Sequence, residues 1–144
     1  MKKVLLAFSG GLDTSFCAMY LKEQGYEVHT ALANTGGFDA EELKVIEEKA
    51  KKLGVASHAS LDVTKDYYNK SIKYMVFGNV LRNGTYPISV SSERIFQAIA
   101  IIEYAKKIGA DAVAHGSTGA GNDQVRFDMT FMVMAPEMEI ITLT

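Results

Sequence analysis

The chain has 144 residues, 48% of them hydrophobic and 22% charged, which suits one globular domain and fits two poorly. Fifteen Lys and Arg against seventeen Asp and Glu leave a net charge of −2, so the basic field that nucleic acid or an anionic membrane needs is missing. The single cysteine, Cys17, excludes an internal disulfide framework and a cysteine-rich zinc site and suits a reducing, cytoplasmic compartment, and no run approaches the roughly 18 apolar residues of a membrane span.

Taken in chain order, Val4 to Phe8 is a near-continuous apolar run, as a strand buried on both faces should read, and it is too short for a signal-peptide core. Leu12, Phe16, Met19 and Tyr20 then share one face of a first helix. A second strand, Glu27 to Ala33, follows Gly25. The second helix opens with Asp39 as N-cap and Glu42 three residues on, carries Leu43, Ile46, Ala50 and Leu53 as its buried stripe, and sets Glu47 four residues before Lys51 on its outer face.

The third strand, Ser57 to Asp62, follows Gly54. A weaker helical pattern runs from Asp66 to about Asn79, and Arg82 to Pro87 reads as a loop. Ile95 to Ile108 is apolar nearly all round, predicting a helix packed against the sheet and a second surface. Ala112 to His115 after Gly109 is the fourth strand, Gln124 to about Met134 a last helix, and Glu139 to Thr142 the fifth strand. The glycines before the middle strands predict helix ends, where a left-handed residue is cheap only for Gly. The alternation predicts an α/β fold, a doubly wound five-stranded parallel sheet with helices on both faces, whose ligand crevice lies beyond the carboxyl ends of the strands.

Two strand-to-helix loops concentrate the unusual residues. The first, Ser9-Gly10-Gly11-Leu12-Asp13-Thr14-Ser15, puts two glycines, hydroxyls and a helix N-terminus at one point. Backbone N–H groups there can approach an anion, and the helix dipole adds to the attraction, so phosphate is the natural guest. The alternative is a tight turn with Ser9 as N-cap and Asp13 answering the dipole. It is neither a Walker A loop nor a Gly-x-Gly-x-x-Gly dinucleotide fingerprint. The second loop runs from Gly116 to Phe127. There Asp123 could hold an ammonium, Arg126 could grip a carboxylate with two bonds, and Thr118 and Asn122 could supply neutral hydrogen bonds. Its alternative is a solvated loop in which Asn122 or Asp123 caps a helix and Arg126 is a surface cation. His29 and His58 lack partners at metal-ligand spacing, whereas His115 ends a strand at the expected crevice.

The run Phe8-Ser9-Gly10-Gly11-Leu12-Asp13-Thr14-Ser15 resembles the signature of the PP-loop ATP pyrophosphatases, which cleave ATP between the α and β phosphates. Within them the chain resembles the argininosuccinate synthase family, through Leu32-Ala33-Asn34, Tyr86-Pro87 with the hydroxyl run Ser89 to Ser92, and His115 to Phe127. The resemblance implies ligation of citrulline to aspartate with release of AMP and pyrophosphate, a step of arginine biosynthesis. It implies ATP contacts from Ala7 through Ser15, Ala33 facing the adenosine, and Gly116 on the nucleotide. Tyr86, Ser91, Asn122 and Arg126 would hold citrulline, and Thr118, Asn122 and Asp123 would hold aspartate. Mg²⁺ would enter with ATP, with Asp13 as a contact to the metal–pyrophosphate and no dedicated protein metal site.

It further implies that residues 1–144 are the nucleotide-binding domain of a homotetrameric enzyme. The C-terminal synthetase domain would be absent here, and the isolated domain inactive. Two departures stand out: Ala120 replaces a frequent Lys, and Ile88 to Arg94 differs from the commoner segment. A different PP-loop adenylating enzyme, or a nonenzymatic ATP-binding module, are the rival readings; the first would be expected to carry reactive cysteines and a basic face.

Overall fold

The computed structural model describes residues 1–117, Gly119 and residues 121–142. Its main sheet is built from β1 (Lys3–Ala7), β2 (Glu27–Asn34), β3 (Ser57–Asp62), β6 (Ala112–His115) and β7 (Glu139–Thr142), all parallel, in the order β3-β2-β1-β6-β7. Helices α1 (Leu12–Glu23) and α2 (Ala40–Lys52) cover one face, and α5 (Ser89–Ile108) and α6 (Asn122–Met134) the other. Crossover direction therefore reverses between β1 and β6, which is where a doubly wound sheet opens its crevice.

The central strand explains the unbroken apolar run. Val4 and Leu6 pack with Cys17, Leu21 and Ile46 on one face, Leu5 packs with Ile101, Ile102 and Phe131 on the other, and none of the three strand residues is exposed. Each such side chain contributes roughly 1.5–3 kcal/mol on burial. The glycines past the helices behave as expected, with φ of 86° at Gly25, 71° at Gly54 and 66° at Gly109. Asp39 accepts from the amides of Glu41 and Glu42, and Glu42 returns a bond to the Asp39 amide, completing the capping box.

Four expectations need correction. On α1 the stripe Leu12, Phe16, Met19 and Tyr20 faces out, while Thr14, Cys17, Ala18 and Leu21 meet the sheet. Short side chains allow the helix to approach β1 closely, so the large residues are left outside. The segment 66–79 is not one regular helix but α3 (Thr64–Tyr67), a π-helical turn (Tyr68–Ile72) and α4 (Lys73–Phe77). Tyr67, the last residue of α3, is buried just before the change of pitch, and its hydroxyl donates to the Ser89 carbonyl at 2.9 Å.

The third correction lies at 82–87, where β4 (Leu81–Arg82) and β5 (Tyr86–Pro87) form a small antiparallel hairpin. Its tight turn rests on the left-handed pair Asn83 and Gly84. Fourth, α5 starts at Ser89 and not at Ile95. Its serine-rich first turns are held by tertiary bonds: Ser91 to Arg126, Ser92 to Ser71, and Glu93 to Thr35 at 2.6 Å.

His29 lies 2.7 Å from Glu27 on its own strand and 2.6 Å from Ser57 on β3, contacts of structural kind. His58 faces Thr30 through Nδ1 at 2.8 Å, and its Nε2 is buried with no partner among the described residues. Burial pushes the His58 pKa down from 6.5 more than the charge of Glu47 restores, and the Lys51 charge adds to the depression. The folded state thus keeps the ring neutral while the unfolded chain takes up the proton. The associated stability is full above the ordinary pKa and is lost as pH falls below it. Lowering the pH from about 7.5 to about 5.5 should reduce the melting temperature. His58→Asn, read by circular dichroism melts across that range, should flatten this part of the profile.

Candidate functional site

At the carboxyl end of β1 the Phe8 amide still pairs with the Ala31 carbonyl at 2.9 Å, and the chain then turns through Gly10 into α1. Gly10 has φ +75°, and a β-carbon there would lie 3.0 Å from Ile46 Cγ1, so the position needs glycine for conformation and for space. Gly11, with φ −76°, is the N-cap of α1, and no side chain caps that end. The hydroxyls turn back on the loop itself. Ser15 Oγ and Thr14 Oγ1 donate to the Gly11 carbonyl at 2.7 and 3.3 Å, and Ser9 Oγ lies 3.4 Å from Thr14 Oγ1. Ser9 is therefore not the cap, and the first-turn amides of α1 keep no intrahelical acceptor. By contrast the N-terminus of α2 carries a complete capping box.

Gly116, just past β6, closes on the same point. A β-carbon on it would sit 3.0 Å from Thr14 Cγ2 and 3.4 Å from the Thr14 nitrogen, so only a residue without a side chain lets the two loops meet. Behind the contact, His115 is buried, with Nε2 2.8 Å from Asp128 Oδ1, while its Nδ1 accepts from the Ser117 amide at 3.3 Å. That pattern puts the ring proton on Nε2 and anchors the start of the second loop from beneath. Its ring also stacks on Phe127.

Between the loops lies a cavity of about 270 Å³. Ala7, Phe8, Ser9, Gly11, Asp13 and Thr14 line one side, and Ala33 with Leu32 and Phe38 closes one end. Gly116 and Ser117 from the second loop, and Arg94 and Gln97 from α5, complete the lining. A second cavity, about 420 Å³, shares Asp13, Gly116, Ser117 and Asp123 and adds Asn122, Gln124 and Arg126. The Asp123 carboxylate stands at the junction of the two. Its Oδ1 accepts from Arg126 Nη1 at 2.8 Å and its Oδ2 from Arg94 Nε at 3.3 Å, while Arg126 Nη2 donates to Ser91 Oγ at 2.8 Å.

The structure thus brings together most of the residues singled out in the sequence, with exceptions. Leu12 exposes its side chain to solvent. Gly10 and Ser15 are not among the residues that line either cavity, and the Gly10 carbonyl accepts from Lys49 Nζ at 3.2 Å. Tyr86 sits exposed on the hairpin, outside the lining of both cavities. Thr118 and Ala120 lie outside the described residues. The helix end at α6 is capped by Gly121 without a side-chain bond, so neither Asn122 nor Asp123 is the cap. Arg126 is no surface cation, being held on two sides. Arg94 and Gln97 were missed, because with α5 begun at Ile95 the i,i+3 relation of Ser91 and Arg94 does not show.

Cys17 is buried, and burial with the nearby Asp13 charge pushes its thiol pKa up, which makes it inert. Among the described residues no cluster of three or more His, Cys, Asp or Glu could hold a metal, and no helix is long and apolar enough to cross a membrane.

Residues 3–144 match the family model for the arginosuccinate synthase N-terminal HUP domain. Argininosuccinate synthase of Xylella fastidiosa is 48% identical over 145 aligned residues, covering 96% of this chain and 36% of the relative, and that of Methanocaldococcus jannaschii is 43% identical over 138, covering 95% and 34%. The chain spans about a third of the length of the curated relatives it matches.

Among solved structures, a predicted subunit of a tRNA methyltransferase from Methanocaldococcus jannaschii superposes with a TM-score of 0.65 at 22% identity, over 99% of this chain and 67% of that one. A glutamine-dependent NAD⁺ synthetase from Acinetobacter baumannii gives 0.64 at 14%, over 81% and 22%. At these identities the likeness is one of fold.

Proposed function

The chain belongs to the argininosuccinate synthase family, as its N-terminal HUP domain, and from that premise we propose that it is the ATP-binding part of a ligase that joins citrulline to aspartate and releases AMP and pyrophosphate. One observation carries this reading: two glycine-dependent loops, after β1 and β6, meet at the reversal point of the sheet and share a cavity with a phosphate-ready helix end. In this reading the triphosphate lies along Ser9 to Ser15, and the adenosine extends toward Ala33 and Phe38. The ureido oxygen of citrulline attacks the α-phosphorus, the bond to the β-phosphate bridging oxygen breaks, and pyrophosphate leaves along the first loop. The aspartate amine then attacks the activated ureido carbon, AMP leaves with the ureido oxygen, and the amine gives up its proton.

The protein's contribution is to position and to stabilise charge. Uncapped amides of α1 face the phosphates, and Arg126, held by Ser91 and Asp123, presents a planar fork to the citrulline carboxylate. The donor set suits a magnesium ion carried in by phosphate: of the two carboxylates that line both cavities, Asp123 is engaged by Arg94 and Arg126, which leaves Asp13 to meet the ion, and the remaining ligands would be phosphate oxygens and water. When bound, the ion neutralises phosphate charge.

Aspartate is assigned to Asn122, Asp123 and Thr118. Both Asp123 oxygens already accept from arginines, so an incoming ammonium shares that carboxylate with Arg126. Arg126→Lys should therefore lower citrulline affinity tenfold or more while changing Mg-ATP affinity less than about twofold, since a point charge cannot reproduce the two-bond grip. Calorimetric titration of the Mg-ATP-saturated protein with citrulline checks this. Equal losses for citrulline and ATP would sink the division of roles.

A further inference from the structure

Resting on this reading, we propose that Arg94 is a second cationic arm of the site, one that contacts the phosphate chain of the nucleotide from the side opposite the glycine loop. The two arginines of the cluster face different cavities: Arg94 lines the one walled by the first loop, and Arg126 lines the other. Asp123 serves both, with one carboxylate oxygen to each. A carboxylate shared in this way fixes the directions of two guanidinium groups at once. The cluster of two arginines and one aspartate keeps a net positive charge beside the phosphate-ready end of α1.

Arg94 is also held at its far side, where Nη1 donates to Gln97 Oε1 at 2.9 Å, one helical turn along α5. With Nε and one Nη1 hydrogen engaged, Nη2 has no protein partner among the described residues, and the side chain is about one-third exposed. A surface arginine that only balanced charge would not need two directed restraints. An arginine that must meet a polyanion in one orientation does, because its rotamer freedom is then lost before binding and not during it. Phosphate oxygens are the group such a fork fits, and Ser9, Gly11 and Thr14 line the same cavity, at the start of a helix on the other face of the sheet from α5.

The first turns of α5 that carry Arg94 are tied to the loop after β2 by Glu93 and Thr35, and to the π-helical turn by Ser92 and Ser71.

The test uses the purified chain and three probes: Mg-ATP, magnesium pyrophosphate and adenosine. Arg94→Gln should lower affinity for Mg-ATP and for pyrophosphate by tenfold or more, leave adenosine within about twofold, and reduce the salt dependence of ATP binding. A merely structural role would weaken adenosine in the same proportion, and that outcome overturns the proposal, as does unchanged pyrophosphate affinity. Wild-type protein that binds adenosine but neither phosphate probe also overturns it. Wild-type protein that binds none of the three removes the nucleotide-site reading itself. A measurement independent of any variant's folding is the arginine side-chain ¹⁵N–¹H spectrum of the wild-type chain, in which the Arg94 Nε–Hε signal should move on adding magnesium pyrophosphate. A signal that stays in place while pyrophosphate binds overturns the contact.

Discussion

Gly11→Val should give a folded chain that binds Mg-ATP at least a hundredfold more weakly, and the two adjacent glycines should differ in how they fail. At Gly11 the backbone is ordinary, φ −76°, and an added β-carbon would meet only Ser9 Oγ at 3.5 Å. The fold can accept valine there for about 1 kcal/mol, the cost of a poor N-cap residue. The isopropyl group would instead project where a phosphate must approach the α1 amides. Losing two charge-assisted hydrogen bonds of about 1.5–3 kcal/mol each exceeds two decades of affinity. Gly10→Val is the less informative variant. A β-branched residue at φ +75° is strained by at least 1–2 kcal/mol, and Ile46 must also move, so lost binding would be mixed with lost fold. Undiminished titration by a folded Gly11→Val chain would remove the loop from the phosphate site.

Phe131→Ala should be the most destabilising single change near the site. The ring is fully buried, meets Phe127 edge-on at 5.8 Å between centroids, and lies 6.2 Å from the His115 ring. Deleting it leaves a cavity on the α5–α6 side of the sheet and should cost about 3–5 kcal/mol. The melting temperature of a chain this size should then fall by roughly 10 °C or more. His115 loses the wall that holds its ring, so the start of the second loop should loosen as well. Hydrogen exchange at the Ser117 amide, faster in Phe131→Ala than in Phe131→Leu at matched stability, reports that coupling. Equal exchange in the two would separate the core from the loop.

The parts that were legible in the sequence are those where local chemistry and tertiary structure agree. Val4 to Leu6 reads as a strand because both faces of β1 are covered, and Asp39 with Glu42 reads as a cap because the bonds are made within one turn. Both loops that meet at the cavity stood out in the sequence because glycines and hydroxyls cluster there more densely than an ordinary turn needs. What failed was read from large apolar residues where small ones decided. Cys17 and Ala18 allow α1 to approach the sheet, and periodicity counted on Leu12 and Phe16 selects the opposite face. Arg94 was missed for a related reason: the serines before it have weak helix propensity, and contacts with Ser71, Thr35 and Arg126 form the helix there regardless.

The position of β1 in the middle of the sheet sets an order of assembly. Leu5 lies opposite His29 on one side and Val113 on the other, so its two neighbours come from very different distances along the chain. Each doubling of the closed loop costs about 0.6 kcal/mol of chain entropy, which favours β1, α1, β2, α2 and β3 as the first unit to condense, with β6, α6 and β7 docking later. The first loop belongs to the early unit and the second to the late one. The cleft is thus created by the final docking step. During synthesis the β1 edge that will receive β6 stays unpaired until residues 112–115 have emerged, and that interval is when an edge-pairing partner can misassemble with it.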